Sequence, residues 1–407
     1  MPGIKEALEH EKAYLVALRR EFHRHPELSL QEFRTAARIE EELDAFGIPN
    51  TRVGTTGVLG VLQGTGPGEG LLVLRADIDA LPISEVHQAE YCSLTPGVMH
   101  ACGHDVHTAC LLGAAKYLAG CRSEFGGQIR FAFQPGEEIG QGARAFAEAG
   151  ALNGVDRVFG LHTAPDLPVG TVGLKPGLNN AAVDHFSIQV HGRSSHVAAP
   201  QLGVDALYIA SQIVVALQAL VTRLTSPVEP VIIGVGTLSA GTAYNILAES
   251  AVLEGTTRTV SRESRERIRT QISVTARNIA DIYGGTVRLQ WTDFAAPLIN
   301  DPAVCREAAA VAESMWGAGT VTADRSLSMS GDNFSEFLLH APGAYAYLGT
   351  GNPLKPGTLQ SYHSEKFDVD EQALVLGAEL YAGYALSQLR SPAGAPPACG
   401  GPETAGE

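Results

Sequence analysis

The chain has 407 residues, of which 45% are hydrophobic and 18% are charged, and its formal net charge is −15. This length suffices for two domains, and the composition is typical of a globular protein rather than a disordered or fibrous one. The negative charge and the lack of any run of Lys and Arg argue against nucleic acid or an anionic membrane surface as a partner, because either would require a basic face.

The N-terminal residues are charged throughout and lack the apolar core of a signal peptide, and no segment has the pattern of a membrane-spanning helix. We therefore expect a cytoplasmic protein that binds no membrane. The six cysteines show no regular spacing, so most of them are expected to be small buried side chains rather than disulfide partners.

The first predicted elements are two amphipathic helices, at residues 4–25 and 29–47. β-rich runs then alternate with helical ones, among them a helix at 104–119 and another near 140–149. This alternation predicts an α/β fold, with a mostly parallel sheet and helices on both faces. The glycine-rich connection at 64–70 joins two β-rich runs and opens no helix, which favours a β-hairpin over a phosphate-binding loop.

The pattern changes near residue 184. A β-rich run, a long helix at 203–224, two further β-rich runs, a helix at 261–283 and a final β-rich run follow. This order predicts a smaller α+β sandwich, here called the inserted domain, that interrupts the main domain. The predicted units are the first part of the main domain at 1–182, the inserted domain at 183–295, the second part of the main domain at 296–390, and a Pro/Gly-rich disordered tail at 391–407.

Side chains of the metal-ligand type follow several β-rich runs at the point where each run ends. In open α/β sheets, sites form beyond the carboxyl ends of the strands, so these side chains are expected to gather at one edge. Carboxylates, imidazoles and a thiol at one edge describe a site for a borderline divalent cation such as zinc, manganese, cobalt or nickel. The residues after strands are Asp77 and Asp79, Glu137 and Glu138, His162, and His363.

The stretch "MHACGHDVHTAC" at residues 99–110 places Cys102 and His104 two apart across Gly103, just before a predicted helix. Glycine allows a tight turn, so both side chains can point the same way. A thiolate near a cation and a helix N-terminus is stabilised as the anion, and such a soft ligand could bridge two cations. The alternative is a buried cysteine beside a capping turn, and the neighbouring strand ends favour the ligand interpretation.

Glu137 and Glu138 are adjacent, so their side chains cannot project in the same direction. One division of roles is a carboxylate that binds metal beside a carboxylate that takes a proton from metal-bound water. A pair of solvated surface acids is the alternative. The position of the pair after an apolar strand and "QPG" favours the functional interpretation.

Seven motifs together resemble the metal-dependent aminoacylase and carboxypeptidase superfamily. The resemblance is to its amidohydrolase branch, which includes hippurate hydrolases, indole-acetyl-amino-acid hydrolases, N-acyl-amino-acid amidohydrolases and N-acetyl-diaminopimelate deacetylases. It implies dinuclear, metal-dependent hydrolysis of the amide bond of N-acyl amino acids. The motifs are "RADIDALP", "MHACGHDVHTA", "FQPGEE", "GLHTAPDLPVG", "GRSSHVAAP", "GTAYNILAESAVLEGTTRT" and "YHSEKFD".

The resemblance also implies roles for individual residues. Glu137 would be the general base, and Asp79 would orient a metal ligand by a hydrogen bond. Asp77 lies where peptidase relatives carry a metal-binding histidine, and we place it outside the ligand set. Cys102 stands where those relatives have a bridging aspartate. The implied ligands of two divalent metal ions are Cys102, His104, Glu138, His162 and His363.

In the inserted domain, His196 of "GRSSHVAAP" matches a histidine that polarises the scissile carbonyl, while Asn245 and Arg258 match positions that bind substrate. The alternative for His196 is a histidine buried in the core. The resemblance further implies that this domain is a lid and a subunit contact, in a homodimer or homotetramer. His196 could therefore serve its own or a neighbouring subunit.

Two departures from the family pattern bear on substrate preference. The first is "SSH", where relatives usually have small glycine-rich residues before the histidine that is His196 here. The second is "GDNF" at 331–334, where "SEDF" is commoner. A dipeptidase or carboxypeptidase on the same scaffold is one alternative function. A catalytically silent metal-binding or ligand-sensing protein is another, and it is disfavoured because Glu137 and every implied ligand are present.

Overall fold

The computed structural model describes residues 2–86 and 89–390, so the predicted disordered tail at 391–407 lies outside the described residues. Helices α1 to α10 span, in chain order, Pro2–His10, Lys12–Arg24, Phe33–Ala45, His104–Gly120, Gly142–Glu148, Ala206–Leu224, Arg262–Ile282, Pro302–Trp316, Ser335–Leu338 and Gln372–Leu389. Strands β1 to β14 span Asn50–Val53, Gly57–Gln63, Leu71–Asp77, Gln128–Gln134, Arg157–Pro168, Val172–Gly173, Gly177–Asn180, Ala182–His191, Val231–Ala240, Ser250–Thr259, Thr286–Ala295, Leu298–Asn300, Val321–Thr322 and Gly343–Gly351.

The main sheet has eight strands within the described ranges, in the order β1-β2-β4-β3-β5-β14-β6-β13. Its central strands β4, β3, β5 and β14 are parallel, whereas the pairings β1–β2 and β2–β4 at one edge are antiparallel. The register pairs Asp77 with Gln134 and His162 with Tyr347. The prediction of a mostly parallel α/β sheet is confirmed, and the carboxyl ends of its central strands meet at one edge.

Helices cover both faces of the main sheet. On one face α4 and α10 pack together over the buried side chains of the central strands, such as Leu74 and Phe131. Helix α4 is apolar on nearly all sides, which is typical of a helix buried within a core. On the other face Phe146 of α5 and Phe337 of α9 pack with Val73.

The inserted domain contains a separate sheet of four antiparallel strands, in the order β11-β8-β10-β9. Helices α6 and α7 pack against this sheet and contribute Ile213 and Ile272 to a core distinct from that of the main domain. An independent core is what allows such a unit to fold as a separate domain. The chain enters this domain at β8 and leaves it after β11.

Two local predictions about the N-terminal half are wrong. The first predicted helix is in fact two helices, and the break at Glu11 lets α1 pack on α10 while α2 packs on α4. The predicted hairpin at 64–70 does not form, because β4 lies between β2 and β3 and pairs with both. The sequence of this connection does not indicate that β4, about sixty residues later, will pair with both β2 and β3.

Helix α6 has the length and apolar composition of a membrane-spanning helix, so the expectation that no segment would do so is wrong on those criteria. A single such helix is weak evidence, because core helices of globular proteins meet the same criteria. One face of α6 packs in the core of the inserted domain, as its helical spacing of apolar residues requires. The buried residues on that face are Ala206, Ile209, Ala210, Ile213, Leu217 and Leu220.

Candidate dinuclear metal site

The turn before α4 brings Cys102 and His104 to the carboxyl edge of the sheet. Gly103 has a φ of +86°, and a Cβ at this position would lie 2.7 Å from Oγ1 of Thr163. Only glycine adopts this left-handed turn without displacing Thr163. The Thr163 hydroxyl donates to the backbone carbonyl of Cys102 at 3.0 Å, which fixes the turn against β5.

The five predicted metal ligands lie together. Sγ of Cys102 is 3.4 Å from Nε2 of His162. Oε1 of Glu138 is 3.8 Å from Nε2 of His104 and 3.5 Å from Nε2 of His363. Cys102 belongs to two groups of potential ligand atoms within 4.8 Å of one another, one with His104 and His162 and the other with Glu138 and His363. A thiol shared between two ligand groups is suited to bridge two cations.

Two of these ligand atoms are buried without a hydrogen-bond partner among the described residues, namely Nε2 of His104 and Oε1 of Glu138. A buried polar atom left without a partner costs about 1–3 kcal/mol, so such atoms point to a missing ligand. Imidazole, carboxylate and thiolate are the donors that borderline divalent cations prefer. The residues present therefore fit a dinuclear metal centre.

Burial shifts the pKa values of two candidate ligands, His162 and Cys102, in opposite directions. It lowers the pKa of His162 well below its usual value, with help from the neighbouring His107. His162 is thus neutral, and its Nδ1 donates to the carbonyl of Thr163 at 2.9 Å, which leaves Nε2 as the donor atom for a metal. Burial, followed by the Glu138 carboxylate, raises the pKa of the Cys102 thiol well above its usual value. A bound cation would therefore be needed to hold this group as the thiolate.

His363 differs from the other ligands in its backbone and exposure. It is a non-glycine residue with a φ of +60°, in the left-handed region. Its side chain is 51% exposed, and its N–H donates to the carbonyl of Ala101 at 2.8 Å, which ties it to the turn before α4. Such a backbone conformation costs about 1–3 kcal/mol, and residues of this kind cluster at functional sites.

Asp79 supports the ligands, as the resemblance implies. Its Oδ1 lies 3.1 Å from Nδ1 of His104. Its Oδ2 accepts from the Ser29 hydroxyl at 2.6 Å and from the N–H of Glu138 at 3.0 Å. Burial opposes ionisation, but the hydrogen bond and charge of His104 outweigh it and lower the pKa of Asp79. The carboxylate thus orients one ligand and anchors the backbone of another.

Both carboxylate oxygens of Asp77 contact other protein groups behind the ligands. Its Oδ1 is 2.5 Å from Nδ1 of His107, and its Oδ2 accepts from Nη1 of Arg75 at 2.7 Å. Asp77, His104 and His107 also form a group compact enough to hold a metal ion. Nε2 of His107 accepts from the N–H of Thr163 at 2.8 Å. Both ring nitrogens of His107 therefore already have protein partners instead of a metal ion.

Glu137 is buried beside this ligand set, and it lines a cavity that opens onto the ligands. Burial, and then the nearby carboxylate of Asp332, raise the pKa of Glu137 well above its usual value. Its Oε1 accepts from the N–H of Asn333 at 3.3 Å. A buried carboxylate with a raised pKa beside a candidate metal site is suited to accept a proton and return it.

A cavity of about 490 Å³ opens onto the metal site. Arg258 of β10 and Phe294 of β11 reach it from the inserted domain, and Arg325 lines its other side. Burial lowers the pKa of Arg258, and within residues 2–86 and 89–390 no acidic side chain forms an ion pair with this guanidinium. The cavity therefore offers a cation to an anionic substrate group. Its aromatic wall consists of Tyr345, Tyr347 and Tyr362.

His196 and Asn245 lie together, but neither lines this cavity. The backbone of His196 bridges to Ile246, and the carbonyl of Asn245 accepts from the N–H of Val197 at 3.1 Å. His196 is exposed rather than buried in the core, and its Nδ1 accepts from the N–H of Ala198 at 3.0 Å. Of the three predicted residues in the inserted domain, only Arg258 reaches the cavity of its own chain.

Sequence reasoning missed four residues that surround Glu137. Arg75 lies within the quoted "RADIDALP", and Asp332 and Asn333 belong to the "GDNF" segment, which was read only as a departure. Tyr345, on β14, had no signal beyond its place in a β-rich run. An arginine in the middle of an apolar strand was the available clue, because a buried charge must be paired.

Comparison with known proteins identifies the family. Residues 73–387 match the model of peptidase family M20/M25/M40. An N-acetylcysteine deacetylase of Bacillus subtilis (strain 168) is 37% identical over 382 residues, which cover 93% of this chain and 97% of that protein. Thermostable carboxypeptidase 2 of Saccharolobus solfataricus is 37% identical over 378 residues, which cover 92% of this chain and 95% of that protein.

A solved structure agrees with these relatives. It is a Bacillus subtilis protein described as a dinuclear metal-binding peptidase of the M20 family, 34% identical, with a TM-score of 0.79. The match covers 94% of this chain and 99% of that one. The resemblance drawn from the sequence motifs is confirmed. The chain belongs to peptidase family M20/M25/M40.

Proposed function

We propose that the protein is a dinuclear metal-dependent amidohydrolase that cleaves N-acyl amino acids to a carboxylate and a free amino acid. One observation carries this proposal. The shared thiol of Cys102, the candidate base Glu137 and the guanidinium of Arg258 face the same cavity. Hydrolysis of an amide substrate that carries a carboxylate requires a metal site, a base and an anion-binding group.

The residues divide the chemical work. Two divalent cations such as zinc, manganese, cobalt or nickel, held by the five ligands, would supply Lewis-acid activation of water and carbonyl. Glu137 accepts a proton from the attacking water and returns it to the nitrogen of the departing amino acid. Arg258 pairs with the substrate carboxylate, whereas Asn245, which does not line the cavity of its own chain, would offer its amide to a substrate held by a partner subunit.

We further propose that His196 completes the site of a partner subunit. It is exposed on the inserted domain and does not line the cavity of its own chain. As a donor to the developing oxyanion it would act on a substrate held by the partner. Exposed apolar side chains on α6 fit a subunit contact in a homodimer or homotetramer. These are Leu207, Tyr208, Val215 and Leu224.

A carboxypeptidase is the second candidate, favoured by the relative of that name at the same identity as the deacetylase. Cys102 favours the amidohydrolase, because the peptidase branch has aspartate in its place. The presence of Glu137 disfavours a silent binding protein.

A hydrolysis screen tests the proposal. Acetyl-, benzoyl- and indole-acetyl-amino acids are incubated with the metal-loaded protein beside dipeptides, with manganese, zinc, cobalt and nickel compared separately. We expect release of free amino acid from at least one N-acyl substrate, and none with Glu137→Gln. Turnover of dipeptides alone would favour the carboxypeptidase, and no turnover with any metal would favour a silent protein.

A further inference from the structure

The turn at residues 331–334 contacts the candidate base directly. The N–H of Asn333 donates to Oε1 of Glu137 at 3.3 Å, and within residues 2–86 and 89–390 no other hydrogen bond reaches that carboxylate. The direction in which Glu137 points therefore depends on where this turn places one backbone N–H. A displacement of about 1 Å at a reacting group can cost about 100-fold in rate.

Asp332 is the residue that fixes the turn. Its Oδ1 accepts from the N–H of Phe334 at 2.7 Å and lies 3.4 Å from Nη2 of Arg75. Its Oδ2 accepts from the hydroxyl of Tyr345. All of these groups are buried. A buried carboxylate held by three donors has one orientation, so it holds the backbone on both sides of it.

The same cluster also holds the segment that carries the base. Oδ1 of Asn333 accepts from Nε2 of Gln134 at 2.8 Å and from Nη2 of Arg75 at 3.3 Å. Arg75 donates in turn to Oε1 of Gln134 at 2.9 Å. Gln134 is the last residue of β4, three positions before Glu137. The turn and the end of β4 are thus joined through Arg75.

We propose that Asp332 is a positioning residue for Glu137, which acts by fixing the turn whose Asn333 N–H aims the carboxylate of the base. The inference rests on the proposed role of Glu137. Asp332 borders the cavity, but its oxygens are occupied by protein donors and its charge repels an anionic substrate. Its effect is therefore expected on the chemical step rather than on substrate binding.

The test is a double-variant cycle on the metal-loaded enzyme, with kcat, KM and bound metal measured for each protein. Asp332→Asn should lower kcat by about 10- to 100-fold, with KM changed less than about twofold and metal content unchanged. In a Glu137→Gln background the same substitution should lower the residual kcat by less than about twofold, because the group that it positions is already absent.

Tyr345→Phe provides a second variant that removes only one hydroxyl, so the test does not depend on Asp332→Asn folding. It should lower kcat by about 3- to 10-fold, again only when Glu137 is present. Tyr384→Phe is the matched control, because this buried tyrosine donates to Glu307 away from the site, at 3.4 Å. Its kcat should equal that of the wild type.

Equal losses with and without Glu137 would overturn the inference, as would a loss of metal or a change confined to KM. Retention of full kcat by both Asp332→Asn and Tyr345→Phe would also overturn it. These outcomes differ from failure of the proposed function, in which the wild-type protein would hydrolyse no N-acyl amino acid or Glu137→Gln would remain active.

Discussion

The metal-facing edge of the main domain and the loops of the inserted domain differ in how completely one chain assembles them. At the sheet edge, ligand atoms from four segments form two groups that share Cys102, the atoms of each group lie within 4.8 Å of one another, and most are buried. At the inserted domain, His196 and Asn245 are neighbours, but neither lines the cavity of its own chain. The first region brings its candidate ligands together within one chain, whereas the second does not bring His196 and Asn245 to the cavity.

The two regions differ because strands position the residues at the sheet edge, whereas loops carry His196 and Asn245. Parallel strands in register present their carboxyl ends at one edge, so Asp77 and His162 are placed by the sheet itself. His196 and Asn245 lie on loops that hydrogen-bond to each other through the N–H of Val197. Loops of this kind can complete a site after a domain or subunit movement, which a sheet edge cannot undergo.

The largest expected effect tests the sheet edge. Glu137→Gln should lower kcat by about 100- to 10,000-fold with metal content intact, because it removes the proton acceptor and leaves the ligands in place. Its neighbour provides the contrast, since Glu138→Gln should instead lose metal. A Glu137→Gln enzyme with half the wild-type rate would contradict the assignment of the base.

The next effect tests the other region. His196→Ala should lower kcat by about 100- to 1,000-fold, while KM and metal content stay as in the wild type, because an oxyanion donor acts mainly in the transition state. Steady-state kinetics with metal analysis on the same sample measure this. A rise in KM without loss of kcat would show that His196 binds the ground state instead.

Metal removal should affect the stability of the main domain. A chelator should lower the free energy of unfolding by about 3 kcal/mol relative to protein held at roughly 100 times the metal dissociation constant. Cys102→Ala should match the chelated wild type, because this thiol would be a ligand of both metal ions. Thermal unfolding with and without added manganese measures the difference. An equal gain from manganese in Cys102→Ala would exclude Cys102 from the ligand set.

The smallest expected effect concerns Arg258, the one predicted substrate-binding residue of the inserted domain that lines the cavity of its own chain. Arg258→Ala should raise KM by about 10- to 100-fold, which corresponds to the loss of a charged hydrogen bond. Arg288→Ala, an exposed arginine on β11, is the control and should leave KM unchanged. If the two variants behave alike, Arg258 does not hold the substrate carboxylate.

The sequence allowed candidate ligand side chains to be placed at one edge of the sheet, because a parallel sheet brings its strand ends together, whereas the choice of five ligands rested on the family resemblance. It did not reveal the support around Glu137, since Arg75 and Asp332 are separated by 257 positions and meet only when β3 and the 331–334 turn pack. The false hairpin at 64–70 has the same origin. Local turn chemistry does not indicate that β4 will insert between two consecutive strands.

The placement of His196 was also beyond the sequence, because the motif around it is the same whether it serves its own chain or another. Mixing two inactive proteins, Glu137→Gln and His196→Ala, tests this central difference between the two regions most directly. In a mixed dimer, the His196→Ala chain keeps Glu137 and receives an intact His196 from its partner. Once subunit exchange is verified with two affinity tags, activity should recover to about one quarter of the wild-type value, because half of the dimers are mixed and each has one complete site. No recovery after exchange would contradict the account and assign His196 to its own chain.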